Sequence, residues 1–292
     1  MSGINRMTYQ PTHTSNYMNQ LDNVFEWIKN KNLNVDMSRY SRYKGYIDDF
    51  YSKDNLKEIV ILDPKFNKLN EAAQECIQIV QVYEAFRNEN SAGFNDRLKK
   101  VIAGQDFFNP ENPEDQPRDF LYELLVASWF SSWGYDIDFE QLTDVVAKGD
   151  NVTIYIECKR IKSSKGLEKN FRKACKQLSR VADNSEHYGL VFIDIYNCVA
   201  KNIRDYEYEN IYAMQRELNS VLENNFRKQN SKLIDKVLDE NIENTLAVAF
   251  TTARCLWLSD VTPQFYRDYK IRASSKIADE KFDELKKIFE SK

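Results

Sequence analysis

The stretch TDVVAKGDNVTIYIECK, Thr143 to Lys159, decides how the chain is read. Two β-prone runs flank the turn sequence KGDN, so the segment predicts a β-hairpin. Side chains alternate along a strand. In the second arm Ile154, Ile156 and Cys158 therefore share one face, while Tyr155, Glu157 and Lys159 share the other. The first set suits a core beneath helices. The second sets a carboxylate beside an ammonium on an outward face, and the turn folds Asp144 into the same neighbourhood. Two carboxylates with a lysine beyond them suit a hard divalent cation and an activated water.

Upstream, RDFLYELLVASWFSSWGYD (Arg118 to Asp136) predicts a helix with Asp119 near its start and Gly134 at its end. It is apolar almost all round, which implies burial. Glu123 is the one charge in its interior, aligned with Phe120, Ala127 and Phe130. A lone buried carboxylate is costly and needs a partner. Arg118 or Lys159 could supply one, or a cation shared with Asp144 and Glu157 could.

Downstream, a basic helix is expected from about Leu167 to Ala182. Between Lys159 and Arg180 there are nine Lys or Arg residues against one acid, Glu168, in a chain of net charge -4. Such local concentration belongs where a phosphate backbone would lie, with Lys162, Ser163, Ser164 and Lys165 in the loop before the helix. YGLVFIDIYN (Tyr188 to Asn197) then predicts a buried strand, followed by one or two helices between Tyr208 and Leu238. TLAVAFTTARCLWLS fits a strand or a buried helix, and DEKFDELKKIFE a final helix.

The N-terminal part is mainly helical. A polar leader, residues 1 to 20, precedes a short helix from Leu21 to Leu33. LKEIVILD (Leu56 to Asp63) fits a strand or a helix end; a long helix is expected over Asn67 to Asn88 and another from Phe94 to Ile102. The proline-rich NPENPEDQP marks a boundary, dividing a helical region of unread role, 1–112, from the region 113–292.

Composition limits the function classes. At 292 residues with 42% apolar content the chain can bury a sizeable core. With no apolar run near eighteen residues and no apolar leader, a soluble, cytoplasmic protein with no membrane contact is expected. Five widely spaced cysteines suggest reduced thiols. Two histidines argue against a histidine-rich zinc site, so any metal would be held by oxygen, as Mg2+ or Mn2+ is.

A buried acid in a helix, a hairpin carrying D-x12-E-x-K and a basic helix in that order resemble the PD-(D/E)xK nuclease superfamily. The likeness is closest to its Mrr-like and Holliday-junction-resolvase-like branches and spans roughly Asp119 to Tyr196, although Thr143 stands where many relatives have proline. It implies an α/β, restriction-endonuclease-like three-layer core, a mixed central sheet flanked by helices, joined to the helical N-terminal region. It also implies a Mg2+-dependent endonuclease, with Mn2+ as a substitute, that hydrolyses phosphodiester bonds in DNA, RNA being left open. Restriction, anti-phage defence and repair are the roles such relatives have.

On that resemblance Glu123, Asp144, Glu157 and the Cys158 backbone carbonyl hold metal. Lys159 holds or deprotonates the attacking water, and Gln177 in ACKQL matches a glutamine that some relatives carry. Arg160, Lys162, Lys165, Lys169, Arg172, Lys173 and Lys176 face the nucleic acid or brace the site. The N- or C-terminal helices are candidates for a homodimer or partner contact. The alternatives are a nucleic-acid-binding protein that kept the fold without cleavage, and a structural protein in which Glu123 and Lys159 form a buried ion pair.

Overall fold

The computed structural model describes residues 20–53, 66–107, 115–150, 152–181, 187–203, 208–259 and 263–290. LKEIVILD and most of NPENPEDQP lie outside the described residues. The helices are α1 (Leu21–Asn30), α2 (Arg39–Tyr51), α3 (Phe66–Phe86), α4 (Ala92–Ile102) and α5 (Gln116–Ser132). After the first strands come α6 (Leu167–Leu178), the short α7 (Tyr196–Val199), α8 (Ile211–Ser220), α9 (Ser231–Glu240) and α10 (Asp279–Glu290). A π-wound stretch, Val221–Arg227, follows α8 directly.

Six strands form one sheet, paired in chain order: β1 (Asp136–Asp138), β2 (Val145–Lys148), β3 (Thr153–Arg160), β4 (His187–Asp194), β5 (Ala247–Trp257) and β6 (Pro263–Ala273). β3, β4 and β5 run parallel to one another, and the remaining neighbours are antiparallel. Parallel neighbours need long crossovers, which α6 and the α7–α9 segment supply. The result is a mixed sheet flanked by helices, a three-layer α/β architecture with an N-terminal helical region.

Both sheet faces are buried, which explains the continuously apolar central strands. Leu190 and Phe192 of β4 join Ile154, Ile156 and Cys158 of β3 in a cluster with α1–α5 and α10. Val191 and Ile193 turn the other way, into a second cluster with α6 and the helices that follow it. Each fully buried Leu, Ile or Phe contributes roughly 1.5–3 kcal/mol. The first cluster runs without a break across the expected boundary at residue 112, joining Tyr43, Ile79 and Phe94 to Leu124 and Ile156.

The hairpin forms as its alternation predicts, with Val145 opposite Ile156 and Lys148 opposite Thr153. α5 is apolar all round because it packs against α3 and α4 on one side and β1, β2 and β3 on the other. Gly134 ends it at φ 87°, a left-handed backbone that favours glycine. α6 stops at Leu178, short of the expected Ala182, and α1 stops at Asn30. TLAVAFTTARCLW is a strand: Ala247 and Ala249 face the first cluster, Val248 and Phe250 the second. The strands β1 and β6 have no counterpart in the sequence reading. Both lie at sheet edges, where the apolar alternation that signals a strand is diluted by charge.

Candidate active site

The second face of β3 carries Glu157 and Lys159 where its parallel neighbour carries Val191 and Ile193 at the same register. Two charges thus occupy positions that elsewhere in the sheet hold aliphatic side chains. They were expected to face outward. Instead the Glu157 side chain is 1% exposed and that of Lys159 is 13% exposed, because helices cover this face as well.

Asp144 sits just before β2 and reaches across the hairpin. The Cys158 backbone N–H donates to its Oδ2 at 2.8 Å. Lys159 Nζ donates to Glu157 Oε2 and to the Cys158 carbonyl, each at 2.9 Å, and to Asp144 Oδ2 at 3.3 Å. Three oxygens, two from carboxylates and one from the backbone, therefore converge on one cation. Burial pushes the Glu157 carboxyl up to about 7; Asp144 adds to the rise and Lys159 opposes it. Burial also works against the Lys159 charge, but Asp144 and Glu157 more than offset it and raise its pKa.

Glu123 approaches the same group from α5. Burial and then Asp144 push its carboxyl up to about 8, against the pull of Arg97 and Lys159. Its ion-pair partner is Arg97 of α4, with Nε 3.5 Å from Oε2, and not the expected Arg118 or Lys159. The same guanidinium donates to the Phe139 carbonyl at 2.8 Å and to the Asp144 carbonyl at 3.4 Å. Arg97 thus ties the helical region to both Glu123 and the start of β2. Its signal in the sequence is positional: a cation three residues after Phe94 and four before Val101, on the face that α4 buries.

Arg118 belongs to another group. With Arg39 it flanks Glu75: Arg39 Nε lies 2.8 Å from Glu75 Oε2, and Arg118 Nε binds Oε1. Arg118 also pairs with Asp115 at 2.9 Å. Burial alone would raise the Glu75 pKa, but the two guanidinia hold it below the ordinary carboxylate range.

The remaining expected residues divide. Lys162, Lys165, Lys169, Lys173 and Lys176 are exposed; Lys169, Lys173 and Lys176 follow one face of α6. Arg172 is held between Glu168 at 2.9 Å and Glu240 at 2.6 Å. Arg160 turns inward to Asp194 at 3.1 Å and Asp119 at 3.5 Å, which makes it a brace and not a surface contact. Gln177 has a buried Oε1 without a hydrogen-bond partner, and no hydrogen bond among the described residues joins it to the acidic group. None of the five cysteines forms a disulfide, and burial pushes Cys158 well up.

Among the described residues no set of three His, Cys, Asp or Glu side chains is spaced to hold a metal ion. The donors that do converge, two carboxylates and a carbonyl, are hard oxygens already gathered around the Lys159 ammonium. Hard oxygens are the donor type that a hard divalent cation takes. No protein-family model and no curated protein matches the chain. Among the described residues no helix is long and apolar enough to cross a membrane.

Proposed function

We propose that this protein is a metal-dependent deoxyribonuclease with a restriction-endonuclease-like core, acting in restriction or anti-phage defence. The observation that carries this reading is the convergence of Asp144, Glu157 and the Cys158 carbonyl on the Lys159 ammonium. A nearby surplus of buried carboxylate, Glu123, supports it, as does the exposed lysine face of α6. Here three acids face one lysine and one arginine.

Asp144, Glu157 and the Cys158 carbonyl would hold Mg2+ or Mn2+. When bound, such an ion supplies Lewis-acid polarisation of phosphoryl oxygen and an acidified water. Lys159, displaced from the carboxylates but tethered to the same strand end, would hold the attacking water and offset charge on the phosphoryl group. Glu123 would orient that water, its position set by Arg97. The lysines at 162, 165, 169, 173 and 176 would bind the phosphate backbone without reading sequence.

The test is a panel of linear, circular, nicked, branched and single-stranded DNA, plus RNA, incubated with Mg2+, Mn2+ or EDTA. Metal-dependent cleavage, lost in Asp144→Asn, is the expected result. Binding without cleavage of any substrate would sink it in favour of a non-cleaving nucleic-acid-binding protein. Pairing of Glu123 with Arg97, and of Asp144 and Glu157 with Lys159, is the observation that favours this second reading.

A further inference from the structure

A cavity of about 260 Å3 lies on the other side of the β3 end from the acidic group, lined by residues of α3, α5, α7 and the ends of β3 and β4. Arg160 ends β3 and Asp194 ends β4, so the cavity sits at the carboxyl ends of parallel strands. Ligands of open α/β sheets gather at such ends. Lys159 and Arg160 are consecutive and point to opposite faces, one toward the carboxylates and the other toward this cavity. Asp119, which pairs with Arg160, lies one helical turn before Glu123 on α5.

The chemistry of the lining narrows the ligand. Its two guanidinia are already matched: Arg118 with Glu75 and Asp115, and Arg160 with Asp194 and Asp119. A phosphate entering here would meet no unpaired arginine and would face Glu75 and Asp194. Three carboxamides on the lining have no side-chain hydrogen bond among the described residues: Gln74 and Gln78, on successive turns of α3, and Asn197. Each presents a donor and an acceptor. Leu121 and Leu125 supply an apolar surface, and Tyr196 supplies an aromatic ring with the Arg254 guanidinium 4.9 Å from its centre.

A neutral, flat ligand with apolar faces and a donor–acceptor edge satisfies all of these. We propose that the cavity receives a nucleobase, either extruded from a nucleic-acid strand lying across the neighbouring acidic site or offered as a free nucleoside. Carboxamides pair with the donor–acceptor edge of adenine, and extruded bases are held by such edge contacts between apolar and aromatic walls. A single base is smaller than the ligands that fill ordinary pockets of roughly 300–1,000 Å3, so the volume suits it. Extrusion rests on the nucleic-acid reading of the acidic site; nucleoside binding does not.

The experiment uses the full chain in EDTA, so nothing is cut. One arm titrates adenosine, guanosine, cytidine and thymidine by calorimetry. The other places 2-aminopurine at each position of a duplex in turn and follows its fluorescence, while anisotropy reports duplex binding separately. Saturable nucleoside binding, or a fluorescence rise at one position, is expected. Gln74→Leu and Gln78→Leu should each weaken the response by about tenfold, the loss of one hydrogen bond. Ala200→Phe, which fills the cavity and leaves the amides in place, should abolish it. Unchanged melting temperatures identify the variants as folded. Duplex binding with neither response overturns the cavity proposal and leaves the nuclease reading standing. Responses that survive all three variants overturn it too. Nucleoside binding without duplex binding supports the cavity and counts against the nucleic-acid reading.

Discussion

Two buried charge groups hang from the same helix, and they are balanced differently. At the start of α5, Arg118 joins Arg39 around Glu75, and two cations hold one carboxylate below its ordinary pKa. Five residues on, Glu123 joins Asp144 and Glu157, and only Lys159 and Arg97 stand against three acids. Glu123 and Glu157 are accordingly pushed up to about 8 and about 7. The first group is complete as it stands. The second sets three acids against two bases, and the raised values of Glu123 and Glu157 relieve that excess by favouring their protonated forms.

The comparison breaks most visibly under Glu75→Ala. That change leaves the buried Arg39 guanidinium without its carboxylate and Arg118 with Asp115 alone, and should cost about 3–5 kcal/mol in urea unfolding. An equal cost from Glu123→Ala would remove the distinction between the groups. Next in size, Asp144→Asn and Lys159→Arg should each slow cleavage by about 100-fold or more, with melting temperatures little changed. A matching loss of fold would transfer both residues to the structural class.

Arg97→Met should raise the Glu123 midpoint above its present value of about 8, followed by carboxyl NMR. It should also cost about 1–3 kcal/mol at pH 8, as expected for an uncovered buried partner. Activity should fall with it if Arg97 positions Glu123; restoration in Arg97→Lys would separate charge from shape.

The smallest effect sharpens the contrast through pH. Glu75 has a depressed pKa, so its stabilisation is present above the ordinary 4.5 and is lost as pH falls through its folded value. Glu123 and Glu157 have raised values, so the fold is least burdened below 4.5 and loses stability as pH climbs toward 7 and 8. In metal-free buffer Glu123→Gln should therefore be more stable than the parent by on the order of 1–2 kcal/mol at pH 8. The two should match near pH 4, as urea titrations at both values would report.

The acidic pair was legible because a hairpin turns spacing into position. Once Val145 faces Ile156, Asp144 must lie near Glu157 and Lys159. Arg97 and Glu75 were not legible in that way, because tertiary packing of separate helices brings them to their partners. The stripe Glu71, Gln74, Glu75 and Gln78 did carry a signal, four polar residues at helical spacing within an otherwise buried helix. β6 was hidden for the opposite reason. Arg267, Asp268, Lys270 and Arg272 interrupt its apolar pattern; Gln81 for Arg267 and Asp235 for Arg272 come from other elements, while Lys270 pairs with Asp268 inside the strand. The burial of both sheet faces was only half legible: β4 advertised it, while β3 looked two-sided because its second face is the charged one.

Strand order along the sheet follows order along the chain, and this bears on how the site is made. A nascent chain emerging from the ribosome can close the β2–β3 hairpin as soon as Arg160 is out, with Asp144, Glu157 and Lys159 already neighbours and still hydrated. Glu123 and Arg97 have been synthesised by then. The helix and strand that help cover these charges, α6 and β4, come later in the chain, β4 ending some thirty residues after Arg160. The residues that set the geometry of the acidic group thus precede in the chain those that dry it, so its like charges can meet while still hydrated.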